Sequence, residues 1–348
     1  MNLTMLRAIF SKPYSRLFIV GDNSGWSTDI DALDLKRFAD KLGIKSKIVR
    51  RAYLNLPQAV HYTSQFSLLL DIYKSKHRLS LDYYHGKPEQ GENFRECFEA
   101  LKRHHKQFGA VRVSTKEMEI LIKSTGINPS KVMRIPIGID LNVFKPVIPE
   151  NRKLSRLNLD IPERAIVIGS FQKDGVGWGE GLEPKLIKGP DVFLKVIENL
   201  KKETPNLWVL LSGPSRGFVK RGLERLGVPY RHTYFKDYKE IANLYDALDL
   251  YLVTSREEGG PKAMLESMAK GVPLVTTEVG QCKDLVINGK NAMMAPVEDV
   301  NKLYELALNV IRDQDLRKLL IKNGFTTARN NSYEAQLLLW RNYFNGLL

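Results

Sequence analysis

The segment Ser255–Gly271, SREEGGPKAMLESMAKG, gathers residues that could hold an anion and a polyol together. Gly259 and Gly260 make a flexible turn, and Pro261 opens a helix at a position that needs no amide hydrogen. Gly271 and Pro273 then end that helix. The start formed by Gly260, Pro261, Lys262 and Ala263 presents backbone amides and the positive end of the helix dipole, a setting that favours a phosphate. Glu258 lies just outside it. Glu266 lies one turn into the helix, where side chains lean back toward the N-terminus. Two carboxylates thus flank one diphosphate-sized site, and each can accept hydrogen bonds from sugar hydroxyls. The plainer reading is a helix cap with a solvated glutamate.

The elements that must position these groups read as parallel α/β architecture, short apolar runs alternating with helical patterns. The first half offers strands at Leu17–Gly21, Ser46–Arg50, Ala59–Tyr62, Leu81–Tyr84, Ala110–Ser114 and Val132–Ile135. The second offers Ala165–Phe171, Leu207–Ser212, Arg231–Tyr234, Leu250–Val253, Leu274–Thr277 and Ala292–Met294. Helical patterns fall between them, among them Ile30–Leu42, Glu92–Phe108, Asp191–Lys202, Lys239–Ala247 and Val300–Ile311. The expected fold is therefore two doubly wound, Rossmann-like parallel sheets facing each other across a cleft. Pro146 and Pro149 break regular structure near the boundary. The expected domains are 1–146, 147–331, and a C-terminal helix in 332–348 that can cross back to the first.

The 348 residues carry 53 Lys and Arg against 39 Asp and Glu, a net charge of +14, which calls for an anionic partner. Residues 1–150 hold 24 basic and 15 acidic residues, or +9, so the excess is concentrated there. Cys97 and Cys282 form no CxxC pair, which disfavours a disulfide scaffold or zinc ribbon and points to a reducing cytoplasm. No metal site is expected. The longest uncharged run, Ala52–Leu70, is too polar to span a bilayer, and the N-terminus lacks a signal-peptide cleavage pattern. Met1–Arg16 sets Leu3, Leu6 and Phe10 beside Arg7, Lys12 and Arg16, either a peripheral contact with an anionic membrane at its inner face or an edge packed on its own domain.

Glu258-x7-Glu266, within S-x-x-E-G-G-P…L-E-S-M-A-K-G-V-P-L-V-T-T, resembles the signature of retaining GT-B glycosyltransferases of family 4, glycosyl transferases group 1. Tyr245–Leu250, Val113-Ser114-Thr115 and Ile135–Asp140 with Phe144-Lys145-Pro146 are similar to the family's pattern as well. The resemblance runs from about residue 80 to residue 335 and is strong in the second half. It departs at Ile137, where the family has Asn, and at Gln281, where the glycine after Gly280 is replaced.

That resemblance implies roles. Glu266 matches the carboxylate that binds the nucleotide ribose, Glu258 the one that holds donor-sugar hydroxyls, and Lys188 the phosphate-binding lysine. The family's partner arginine is Ser170 here, and Lys173 is the nearest substitute. His85, at a strand end, matches the histidine near the donor's anomeric carbon; His61 is the weaker candidate. The Gly-rich insertion Lys173–Ile187, KDGVGWGEGLEPKLI, reads either as a flap over the phosphates, with Lys185 as a further contact, or as a surface loop. Gly25, in Asp22–Asp29, stands where the family has a glycine-rich loop, and an ordinary turn is equally open. The expected activity is a retaining hexosyltransferase with a UDP- or GDP-sugar as donor substrate and no required cofactor. The acceptor would be a polysaccharide, a lipid-linked sugar or another acceptor. Rivals are a GT-B nucleotide-sugar epimerase and a non-enzymatic nucleic-acid-binding protein, the latter without any nucleic-acid motif in the chain.

Overall fold

The computed structural model describes residues 16–21, 27–52, 57–69, 72 and 76–348. Gly25 with most of its loop, and the amphipathic N-terminal segment up to residue 15, lie outside the described residues. The chain divides into two compact units. Unit 1 comprises residues up to Pro136 together with Gln336–Leu348, and unit 2 runs from Ile137 to Ala335.

Unit 1 holds a six-stranded parallel sheet of β1 Leu17–Val20, β2 Ser46–Val49, β3 Ala59–Tyr62, β4 Arg78–Tyr83, β5 Phe108–Val113 and β6 Val132–Arg134. Its spatial order is β2-β1-β3-β4-β5-β6. Unit 2 holds β7 Ile166–Phe171, β8 Leu207–Ser212, β9 Tyr230–Thr233, β10 Leu250–Val253, β11 Leu274–Thr277 and β12 Met293–Ala295, in the order β12-β11-β10-β7-β8-β9. All of these pairings are parallel as well. Each order reverses once, between β1 and β3 in the first sheet and between β7 and β10 in the second. Ligands of open α/β sheets bind at the carboxyl ends of strands at such a reversal.

The apolar runs become strands because helices cover both faces, so every residue of β10 and of β11 is buried. In unit 2 one core lies under the Lys262–Lys270 helix, with Met264, Leu265 and Met268. The other, on the opposite face, holds Val192, Phe193 and Val196 of the Pro190–Glu203 helix.

The prolines near the boundary act otherwise than the sequence suggests. Pro149 does not break a regular element but begins one, as the first residue of the Pro149–Asn158 helix, where its missing amide hydrogen and fixed φ cost nothing. The strip from Ile137 onward is held on unit 2. Ile139 donates its N–H to Asn331 O at 3.2 Å, and Val147 donates to Lys270 O at 3.0 Å. Phe144 packs against the rings of Tyr238 and Tyr245. The C-terminal helix Leu337–Leu347 counts with unit 1, where Trp340 stacks on Phe38 with ring centroids 4.8 Å apart. No helix among the described residues is long and apolar enough to cross a membrane.

Candidate active site

The reversal in the second sheet falls between the loops that follow β7 and β10, and those loops carry most of the chemistry. Thr254 follows β10, and its hydroxyl donates to Gly189 O at 2.8 Å. Gly189 sits at φ +64 between Lys188 and Pro190, and a Cβ there would stand 1.9 Å from Thr254 O, so only glycine lets the two loops meet. Arg256 secures the junction with a bidentate pair to Asp191, 2.8 Å at each oxygen. This pairing holds the Asp191 carboxyl below its ordinary range.

Lys188 and Glu258 are thereby brought together. Lys188 Nζ lies 2.7 Å from Glu258 Oε2, and Ser255 Oγ donates to Glu258 Oε1 at 2.9 Å. Gly280, at φ +48, packs against the Glu258 backbone so closely that a Cβ would lie 2.4 Å from its carbonyl oxygen. Two further lysines join this cluster. Burial, Lys188 and Lys173, in that order, hold the Lys185 ammonium below its ordinary range, and Glu258 works against them. Lys173 Nζ stands 4.3 Å from the centre of the Trp178 ring.

The Lys262–Lys270 helix starts as the sequence suggests, one step displaced: Pro261 is its cap rather than its first residue. Lys262 and Ala263 form the first turn, and Gly260 packs on the side chain of Gln281. Glu266 is 2% exposed. It accepts hydrogen bonds from Tyr238 Oη and, at 2.6 Å, from Tyr245 Oη. Burial pushes its carboxyl up to about 8, and the two phenols that donate to it pull the other way.

The Gln281 side chain packs against Gly260 of the Glu258 loop and is tied down at its amide. It is fully buried, accepts from Ile137 N–H at 2.9 Å and donates to Ile137 O at 3.3 Å. Two of the three departures from the family pattern thus meet, the Gln281 amide bonding the backbone of Ile137.

In unit 1, His85 follows β4. Gln65 Nε2 donates to its carbonyl at 3.0 Å, and its ring meets Phe94 edge-on at 5.6 Å. His61, on β3, is fully buried instead. Its Nδ1 lies 3.1 Å from both Ser80 Oγ and Tyr343 Oη, and its Nε2 lies 3.4 Å from Asp82. This enclosure makes it part of the core.

Sequence reasoning did not single out Tyr238 or Arg216. Arg216 follows the carboxyl end of β8, and that placement was the available signal. Its guanidinium donates to Ser170 O at 2.6 Å and to Ser170 Oγ at 3.2 Å, at the position that the sequence comparison leaves without its arginine.

Two Rossmann-like units, each with one parallel sheet, and a cationic cluster at the second sheet's reversal define a protein of the GT-B fold. The same architecture is found in HepE of Anabaena, solved with UDP and glucose, at a TM-score of 0.76 and 16% identity over 96% of this chain and 100% of that one. It is found too in sucrose-phosphate synthase of Thermosynechococcus elongatus, at 0.74 and 16% over 96% and 99%. Residues 182–327 match the family described as Glycosyl transferases group 1. This family match lies wholly in the second unit. Among curated relatives, a D-inositol 3-phosphate glycosyltransferase of Corynebacterium jeikeium (strain K411) is 27% identical over 231 residues, 63% of this chain and 53% of that protein. The lipopolysaccharide core biosynthesis mannosyltransferase LpsB of Rhizobium meliloti (strain 1021) is 25% identical over 209 residues, 57% and 56% respectively. The chain thus spans about half the length of these curated relatives.

Proposed function

We propose that the protein is a nucleotide-sugar-dependent glycosyltransferase of family 4, moving a hexose to its acceptor with retention of anomeric configuration. The observation that carries this reading is the pairing of Lys188 with Glu258 at the strand reversal, inside the segment that matches the family. A cation for the diphosphate and a carboxylate for sugar hydroxyls stand side by side there. The UDP-bound state of the HepE structure supports a nucleotide diphosphate sugar, a UDP- or GDP-sugar, as donor.

In this reading Lys188 and Lys173 neutralise the diphosphate near the Gly260–Ala263 turn, Glu266 takes the ribose, and Glu258 orients the donor sugar. His85 acts at the anomeric carbon. The bond between that carbon and the diphosphate oxygen breaks, and the acceptor oxygen bonds on the same face. Its proton passes to the departing diphosphate. Fixed donors at the leaving group supply the larger share of catalysis, about 3–4 kcal/mol for a key contact. The acceptor is a polysaccharide, a lipid-linked sugar or another hydroxyl compound.

Calorimetry with a panel of UDP- and GDP-sugars, followed by product analysis with candidate acceptors, tests the reading. Binding of one nucleotide class and a glycosylated product with retained configuration are expected. An isomerised sugar nucleotide with no acceptor product would identify an epimerase instead. Steeply salt-dependent nucleic-acid binding without nucleotide-sugar binding would identify a binding protein.

A further inference from the structure

The insertion Lys173–Ile187 is a ribbon, built and docked through its own backbone. Gly175 bridges Pro184 in antiparallel fashion, Val176 donates to Glu183 O at 2.9 Å, and Lys185 donates to Asp174 O at 2.7 Å. Lys173 and Lys185 therefore stand at the base of the ribbon's two arms. Its turn is fixed from the far side. Ser215 Oγ lies 3.1 Å from Gly177 O and 3.0 Å from Gly179 O, and the amides of Gly217 and Phe218 donate to Glu180 O and Gly181 O at 2.7 and 2.8 Å. Those amides begin the Gly217–Leu226 helix, so the ribbon's carbonyls satisfy donors that would otherwise need other partners.

Beneath the ribbon lies a buried ion pair. Arg216 Nε is 2.9 Å from Asp174 Oδ1, with the two side chains 0% and 1% exposed. Arg216 Nη1 donates to Ser170 O at 2.6 Å and to Ser212 O at 2.7 Å, and Nη2 donates to Ser170 Oγ at 3.2 Å. One residue thus ties the ends of β7 and β8 to the residue between Lys173 and Gly175.

We propose that the ribbon is a fixed arm of the phosphate site, and that Arg216 is a positioning residue which, through Asp174, sets Lys173 and Lys185 against the diphosphate that Lys188 binds. This rests on the donor reading above. Charge balance favours it. With Asp174 taken up by Arg216, Lys173, Lys185 and Lys188 stand against the Glu258 carboxylate, a net positive group that the two negative charges of a diphosphate bridge would balance. Burial first, and then repulsion from Lys188 and Lys173, depress the Lys185 ammonium, and such a ligand relieves the repulsion. Lys173 waits on the face of Trp178, an electrostatic hold that a phosphate can outbid.

The test is calorimetric titration of the full chain with UDP and with GDP. Lys173→Ala and Lys185→Ala should each weaken the nucleotide that binds on the order of tenfold, the loss of one charge-assisted hydrogen bond. Arg216→Lys, or Asp174→Asn should the first variant not fold, should weaken it similarly. In the chain lacking both lysines, the same change at Arg216 or Asp174 should cost nothing further, an outcome that a merely structural role would not produce. Unchanged affinity in the lysine variants, or full additivity at Arg216, would overturn the inference, and with it the role given to Lys173, while leaving donor binding at Lys188 and Glu258 intact. Failure of the unaltered chain to bind either nucleotide would overturn both.

Discussion

The ammonium of Lys188 lies 2.7 Å from the carboxylate of Glu258, so the two groups assigned to one donor molecule also hold each other. A diphosphate drawing on Lys188 must compete with Glu258 for it. Lys188→Ala is expected to lower turnover about 10²–10³-fold, the usual effect of losing one fixed stabiliser of a leaving group. Glu258→Gln is expected to act in two directions, tightening the free nucleoside diphosphate several-fold while lowering transfer. Calorimetry beside a turnover assay separates them, and weaker nucleotide binding by Glu258→Gln would remove the competition.

Glu266 links stability to pH. Burial raises its carboxyl from the ordinary 4.5 to about 8. The folded chain therefore keeps a proton that the unfolded chain has already released, and stability falls as pH rises through that window. Glu266→Gln should flatten the decline between pH 5 and pH 8, a difference on the order of 1–4 kcal/mol by linkage. Parallel denaturation curves for the two proteins would contradict this. Glu266→Ala should also weaken nucleotide binding, and unchanged affinity would count against the ribose role.

Gln281 and Gly260 should be coupled. The Gln281 amide bonds both backbone groups of Ile137, and a Cβ added at Gly260 would lie 2.7 Å from Gln281 Cδ. Gln281→Ala should cost roughly 1–3 kcal/mol by leaving buried backbone groups unpaired. Gly260→Ala should be costly in the natural chain and much less so beside Gln281→Ala. Equilibrium unfolding of the four proteins in the cycle measures this, with additivity as the contrary result.

His61 and His85 should part company. His61→Ala opens a buried network in which Arg112 lies 3.4 Å from Asp82 and 4.7 Å from the Trp340 ring centre, so it should lower the melting temperature. His85→Ala should leave melting nearly unchanged and depress transfer. Arg112→Ala leaves the Asp82 charge buried with less to balance it, a loss of about 3–5 kcal/mol. Asp82 is held below the ordinary carboxylate range by Arg112 and His61 in the face of burial. Its contribution is thus complete above that range and disappears as pH falls through the lowered value, which acid unfolding of wild type against Asp82→Asn would reveal.

Much of the fold was legible locally. Leu207–Ser212, Leu250–Val253 and Leu274–Thr277 are read from their apolar runs and found with the same bounds, because strands buried on both faces tolerate little else. The Lys262–Lys270 helix is equally plain from its flanking Pro261 and Gly271. Less visible were the Pro149–Asn158 and Gln314–Asn330 helices, the first masked by prolines and the second by a weak apolar stripe. The Lys239–Ala247 pattern becomes a 3-10 turn, Tyr238–Ile241, followed by the short helix Ala242–Tyr245, a bend that carries Tyr238 to Glu266.

The sequence by itself determined which segments are strands and which loop holds Glu258 and Glu266, since hydrophobic periodicity and helix signals act within a few residues. Only the tertiary structure decided what those residues meet. Ser170 and Arg216 are 46 positions apart, and Ile137 and Gln281 are 144 apart. Contacts at such separations follow from the order of strands in the sheet and from side-chain reach across it. No local pattern encodes either, and the buried guanidinium under the ribbon and the amide on Ile137 come from that order.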